Sequence, residues 1–155
     1  MEIGIFSQPE TVDKAVEHGR LFADAGFGSY WMPQIFGLDT LTALTVVARE
    51  VPKIRLGTAV VPTYPRHPAM LAAQARTLQQ VADGRFTLGI GLSHQMVIEG
   101  MFGMTFDKPV RHLREYLSIL MPLLNGDAAD FAGETLHGHL GLDIPDSTPV
   151  DTLVA

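Results

Sequence analysis

Apolar, β-prone runs begin at Glu2, Gly28, Ile54 and Phe86, about 26 to 32 residues apart, and stretches of helical periodicity separate them. No other feature constrains this chain as much. Strands joined through helices run parallel, and a parallel sheet buries its apolar faces under those helices. Along the first unit, Glu2–Phe6 reads as a strand and Ser7-Gln8-Pro9 as a turn and helix-start signal. Val12, Ala15, Val16, Gly19, Phe22 and Ala23 then fall on one helical face, which Gly26 closes. Gly28–Met32 is the second strand. Asp39 is placed to cap a helix through Glu50, with Leu41, Leu44, Val47 and Ala48 inward and Pro52 as its stop.

Ile54–Val61 is expected to be one continuous third strand. Pro68 suits the first turn of the next helix, whose stripe is Leu71, Ala75, Leu78 and Ala82. Phe86–Leu92 is the fourth strand. The joints Ala23-Asp24-Ala25-Gly26-Phe27 and Ala82-Asp83-Gly84-Arg85-Phe86 echo each other, as a repeated β/α unit should. A doubly wound sheet and a (β/α)8 barrel both satisfy this pattern, and periodicity alone leaves the two open.

Beyond the fourth strand the rhythm changes. Ser93–Phe102 reads as a short helix capped by Ser93, and Pro109–Leu124 as a longer one with Val110, Leu113, Leu117, Leu120 and Leu124 on its stripe. Phe131–Gly138 reads as a strand of an inserted hairpin, and Pro149–Ala155 as the start of a fifth parallel strand. The expected organisation is therefore one domain over 1–155. It comprises four strands with three helices in 1–92, helices and an insertion in 93–148, and the fifth strand's start in 149–155. A whole eight-unit barrel takes about 250 residues.

Composition narrows the function classes. Apolar residues make up 46% and charged residues 18%, a globular balance with no run near the ~20 apolar residues of a membrane helix. No basic segment precedes the apolar start of the chain, so a cytoplasmic address without a signal peptide is expected. With no cysteine there is no thiolate nucleophile, disulfide or iron–sulfur ligand. The net charge is −6, and the segment from Asn125 onward holds six acids and no Lys or Arg. That run reads as a solvated face or an interaction patch. Without a basic stripe, a nucleic-acid partner is not expected.

In either α/β architecture ligands bind at the carboxyl ends of the strands, which here means Ser7-Gln8, Pro33-Gln34, Val60-Val61-Pro62 and Gly91 to Gln95. Gly89-Ile90-Gly91-Leu92-Ser93-His94 carries two glycines of a dinucleotide fingerprint, but His94 stands at the third position. That weakens a nicotinamide reading. His67 and His94 both sit just past strand ends, where an imidazole is useful for proton or hydrogen-bond chemistry. His137 and His139 share one face of the expected hairpin strand without an evident third ligand, so no metal site is expected. Tyr30 and Trp31 read as packing residues. No nucleophile elbow, Walker loop or His-Glu-x-x-His occurs.

The run Leu56-Gly57-Thr58-Ala59-Val60, the His67-Pro68 helix start with Ala72 to Ala75, and Ala82 through Gly91 together resemble the luciferase-like monooxygenase family. Ala25 through Trp31 and Phe131-Ala132-Gly133-Glu134 fit the same pattern. Gly91-Leu92-Ser93-His94-Gln95 looks most like the branch that uses the deazaflavin coenzyme F-420 in place of FMN. The resemblance implies the (β/α)8 TIM-barrel type, represented by about its first four β/α units plus an insertion. It also implies a flavin- or deazaflavin-dependent oxidoreductase that passes hydride between coenzyme and a small organic substrate. A non-prolyl cis peptide is implied near Ala59-Val60-Val61. By position, Pro33, Gln34, Thr58, Ala59, Val60, Gly91, Ser93 and His94 would bind the coenzyme, with His94 the candidate catalytic residue. The chain departs from the pattern after the second strand, where Gln34-Ile35 stand in place of the Asp-His pair of several deazaflavin enzymes. The alternative expectation is a truncated, non-catalytic half-barrel that assembles with another copy or with a second half-barrel.

Overall fold

The computed structural model describes residues 3–155, so the expected strand start at Glu2 lies outside it. The described chain begins with β1 (Gly4–Phe6), α1 (Val12–Asp24), β2 (Ser29–Met32), α2 (Thr40–Glu50), β3 (Arg55–Thr58) and β4 (Val61–Pro62). It continues with α3 (Pro68–Val81), β5 (Phe86–Gly91), α4 (Gln95–Gly100), α5 (Pro109–Asn125), β6 (Ala129–Ala132), β7 (His137–Leu140) and β8 (Asp151–Val154).

Strand order decides between the two architectures. β1 pairs with β2, β2 with β3, β3 and β4 end to end with one edge of β5, and β8 with its other edge, every pair parallel. A doubly wound sheet reverses direction partway, whereas this order follows the chain without reversal, as a barrel wall does. The helices agree: α1 packs on α2, α2 on α3 and α3 on α5, one continuous outer layer. The wall is open, with β1 and β8 as its edges.

Local chemistry explains where the elements start. Thr11 caps α1 by accepting from the Lys14 amide, and the Asp39 carboxylate caps α2 by accepting from the Thr42 amide. Pro68 stands in the first turn of α3 as expected, and the expected inward stripes of α1, α2 and α3 are all buried except Val12 and Ala23. On the sheet, Tyr30, Met32, Leu56, Phe86, Leu88 and Ile90 point into this helix layer and form the core.

Four expectations need correction. The third strand is interrupted: β3 ends at Thr58 and β4 resumes at Val61, with the Ala59–Val60 peptide bond cis, where the family resemblance puts it. Thr58 bridges the gap with its side chain, its hydroxyl both accepting from the Gly89 amide and donating to the Gly89 carbonyl. Second, the short helix starts at Gln95 rather than Ser93. Ser93 turns left-handed at φ 65°, so His94 takes the cap position and makes no side-chain cap bond. Third, the buried face of α5 is rotated. Leu120 and Leu124 are buried as expected and Leu113 and Leu117 half-buried, but Val110 is exposed, and His112, Glu115, Tyr116, Ile119 and Leu123 also face inward, two of them polar residues with specific partners. Fourth, 131–138 straddles the turn of the inserted hairpin, whose strands are β6 and β7. The Glu115 carboxylate sets that turn by accepting from the amides of Glu134, Thr135 and Leu136 and from the Thr135 hydroxyl.

Candidate functional site

A cleft of about 790 Å³ opens at the carboxyl ends of the strands. That volume lies in the range of small-molecule and cofactor sites. Its floor comes from Phe6 after β1, Pro33 and Gln34 after β2, and Ala59, Val60 and Pro62 at the break between β3 and β4. Ser93 and His94 close it from β5, Pro65 and Arg66 from the loop before α3. The rim is apolar: Ile35, Phe36, Val97 and Phe102.

Six of the eight residues expected to bind coenzyme are thus brought together here. The other two, Thr58 and Gly91, stand behind the lining. Thr58 is spent on its bridge to Gly89. A Cβ on Gly89 would lie 2.0 Å from the Thr58 carbonyl oxygen, and one on Gly91 would lie 2.8 Å from the Val60 side chain. The two glycines therefore let the broken third strand press against β5 and bring Ala59 and Val60 into the floor.

Gln34 is held from both ends of its amide. Its Oε1 accepts from the Thr40 amide at 2.9 Å, and its Nε2 donates to the Ile35 and Leu38 carbonyls at 3.3 and 3.5 Å. Arg66, which sequence reasoning missed, reaches over this loop and pairs with Asp39. Asp39 therefore does more than cap α2. The signal was available in the Arg66-His67-Pro68 run but could not be read without knowing that two loops meet. By contrast, neither Ser93 nor His94 engages another described residue through its side chain, so their polar atoms remain available to a ligand.

The other titratable candidates serve the frame. His67 caps α3, its Nδ1 accepting from the Ala69 amide at 3.2 Å. Ser7 is turned away from the cleft, donating to the Tyr30 hydroxyl and bonding His18 Nδ1, both at 3.0 Å. His137 and His139 are exposed on the hairpin, with His139 bonded to Asp130. Among the described residues no group of three His, Cys, Asp or Glu comes together to hold a metal ion. Tyr30 packs in the core, and Trp31 lies over Gly57 on the opposite face of the sheet.

A buried imidazole that the sequence did not reveal, His112, props the loop carrying Pro65 and Arg66. Its Nε2 is 3.1 Å from the Thr63 hydroxyl, and its ring stacks on Tyr64 with centroids 3.9 Å apart at 7°. Burial pushes its pKa below the ordinary histidine value, more than neighbouring Glu115 raises it. It holds the loop as a neutral ring.

The parallel wall in chain order agrees with the fold that the comparison with known proteins finds. The profile of the luciferase-like monooxygenase family matches residues 1–153. The chain belongs to this family. A proposed coenzyme F-420-dependent oxidoreductase of Mycobacterium tuberculosis is 37% identical over 106 residues, covering 66% of this chain and 30% of the relative. The 5,10-methylenetetrahydromethanopterin reductase of Archaeoglobus fulgidus is 30% identical over 136 residues, covering 86% and 41%. In structure, the oxygenating constituent of 3,6-diketocamphane monooxygenase from a Pseudomonas putida plasmid, solved with FMN, superposes with a TM-score of 0.82 at 17% identity. That superposition covers 99% of this chain and 51% of the other. The chain thus spans less than half the length of these two curated relatives. Its wall corresponds to about half of a luciferase-like barrel, unclosed here. Among the described residues, no helix is long and apolar enough to cross a membrane.

Proposed function

We propose that this chain forms the strand-end wall of a coenzyme pocket in a cytoplasmic flavin- or deazaflavin-dependent oxidoreductase, with F-420 the first choice and FMN the alternative. The observation that supports this reading is the cleft itself. It gathers six of the residues that the family resemblance implied, from the carboxyl ends of β2, β3 and β5, with Phe6 after β1 beside them, in a chain of this family. The residues present fit such a group. Pro33, Ala59, Val60 and Pro62 offer an apolar floor without projecting polar side chains, and Gly89 and Gly91 keep that floor in place.

Bound there, either coenzyme supplies hydride transfer to or from a small organic substrate, chemistry that no side chain of this protein can perform. The protein's part is position and exclusion of water. Ser93, in its left-handed turn, lines the cleft with His94 beside it, and His94 is the side chain we assign to proton exchange with the substrate. Gln34, tied down by three backbone partners and packed beneath Arg66, is a wall rather than an acid or base. Among the described residues that line the cleft none is a carboxylate, and we assign no step to one.

Fluorescence titration of the purified chain with F-420, and with FMN in parallel, tests this. Saturable, near-stoichiometric binding of one of them is expected. Ser93→Ala and His94→Ala are each expected to weaken it by about three- to tenfold, the scale of one hydrogen bond. Failure of both coenzymes to bind overturns the reading for this chain. The second reading, a non-catalytic half-barrel that assembles with another copy or a second half-barrel, is favoured by the sheet's two unpaired edges and uncovered inner face. A chain that self-associates and binds neither coenzyme would leave that reading standing.

A further inference from the structure

We propose that the ring stack Phe106–Tyr64–His112 is a latch fastening together the two loops on one side of the cleft, and that protonation of His112 releases it. The latch governs access to the cleft whatever occupies it. No coenzyme takes part in its test, so its failure and that of the coenzyme reading are told apart.

The two loops are the one before α3, with Pro65 and Arg66, and 101–108, which joins α4 to α5. The second carries Phe102 at the rim, where its ring meets that of Phe36 with centroids 6.2 Å apart. Up to Met104 its backbone is tied to α4, whose Val97 and Ile98 carbonyls accept from the Phe102 and Met104 amides. Beyond that point it is held through Phe106, the only residue of 101–108 that is not exposed. The Phe106 ring stacks on Tyr64 at 4.9 Å and 29°, and Tyr64 stacks in turn on His112 at 3.9 Å and 7°. Two longer bonds lie at the surface, from the Phe106 amide to Glu99 at 3.3 Å and from the Tyr64 hydroxyl to the Asp107 carbonyl at 3.4 Å. His112 therefore anchors both loops, Thr63 and Tyr64 directly and Phe106 through Tyr64.

A charge on that ring would find little to answer it. Protonation makes both ring nitrogens donors, and among the described residues only Nε2 has a partner, the fully buried Thr63 hydroxyl. Glu115, one turn along α5, favours the charged form, but its carboxylate is committed to the hairpin turn, and burial of His112 outweighs it. Tyr116, tilted against the ring at 5.7 Å, offers only a buried hydroxyl that has no partner. Lys108 and Arg111, at the start of α5, pair with Glu134 of the hairpin, and Arg66 of the loop before α3 pairs with Asp39. On α4, Glu99 is taken by Gln95 and the Phe106 amide. The one charged residue of α3, Arg76, lies at the far end of α5 beside Gly126. An imidazolium here leaves the stack for water, and both loops lose their anchor.

The test labels the chain with carbon-13 at histidine Cε1 and at the methionine methyl groups, and follows both sets of signals from pH 8 to pH 5. His112 is assigned through His112→Gln and Met104 through Met104→Leu. The His112 signal should titrate with a midpoint below the ordinary histidine value of 6.5. Met104, two residues from Phe106, should shift with that same midpoint. Met32, in the core at 2% exposed, should hold still, which separates release of the latch from unfolding. His112→Gln should abolish the Met104 shift over this range. Phe106→Ala should put Met104 at its acid position already at pH 8, and it serves as the test if the glutamine variant misfolds. Five results would each overturn the proposal. Met104 could ignore the His112 titration, or keep its shift in His112→Gln. Phe106→Ala could leave Met104 at the wild-type position, or Met32 could move together with Met104. Last, the His112 midpoint could lie at or above 6.5, as attraction of an imidazolium to the Tyr64 face would give.

Discussion

The two faces of the sheet obey different rules. On the face toward the helices, Tyr30, Met32, Leu56, Leu88 and Ile90 are fully buried in a continuous apolar layer. On the other, these strands and β8 present Ser29, Trp31, Arg55, Gly57, Thr87, Gly89, Asp151 and Leu153, small and polar residues for the most part. Because side chains alternate along a strand, each strand contributes to both. The difference teaches where stability resides. Burial against α1, α2, α3 and α5 holds the wall together, while the inner face contributes little until something covers it.

Substitution on one strand pair breaks or confirms that division. Leu88→Ala empties a site with no exposure and should lower the unfolding free energy by about 3 kcal/mol, the scale of a buried leucine truncated without full collapse. Leu153→Ala, on the neighbouring strand at 54% exposed, should change it by no more than about 0.5 kcal/mol. Urea unfolding of both variants measures the contrast. A Leu153 cost approaching that of Leu88 would mean that the inner face is covered in solution by another chain.

Much of this division was legible in the sequence. The stripes of α1, α2 and α3 follow from period alone, because each helix buries a purely apolar face in the core it shares with the sheet and the adjoining helices. Where that condition fails, so does the reading. α5 touches both α3 and the hairpin, and its inward face carries His112 and Glu115, whose burial depends on partners far along the chain. No periodicity scale can anticipate that. The third strand shows the same limit: Ile54–Val61 is mostly apolar with no breaking residue at the gap, and the Thr58 hydroxyl that substitutes for ladder bonds acts on a residue 31 positions away. At the site, glycines and strand-end residues were readable one strand at a time. Arg66 and the Phe36–Phe102 contact were not, since each joins two loops.

Glu115 allows the hairpin to be compared with the wall. The hydrogen bond from the Thr135 hydroxyl, and then the amides of Thr135, Glu134 and Leu136, hold its pKa down to about 2 from 4.5, against the opposing effect of burial. A folded-state value below the unfolded one means that its stabilisation is full above about pH 4.5 and is lost as pH falls toward about 2. Wild type should therefore exceed Glu115→Gln in stability at neutral pH, with the gap narrowing across that acid window. Thermal melts from pH 7 to pH 2.5 follow it. A gap that stays constant would show that the carboxylate is not what holds the turn.

The smallest effect separates two roles of one carboxylate at the cleft. Asp39 accepts from the Thr42 amide at 2.9 Å and the Thr42 hydroxyl at 2.8 Å through Oδ1, while Oδ2 pairs with Arg66. Asn caps a helix about as well as Asp, so Asp39→Asn keeps the cap and removes the ion pair. Asp39→Ala removes both. The alanine variant should cost about 1 kcal/mol, mostly from the lost cap. The asparagine variant should cost a few tenths, up to about 1 kcal/mol, the range of a partly exposed pair. Their ligand preferences should instead agree. Both leave the Arg66 cation without its carboxylate partner at the cleft, so octanoate should gain on 2-octanone, a probe of the same length without the charge, by about the same factor in each. If only the alanine variant shifts that preference, the cap shapes the cleft and the charge on Asp39 does not.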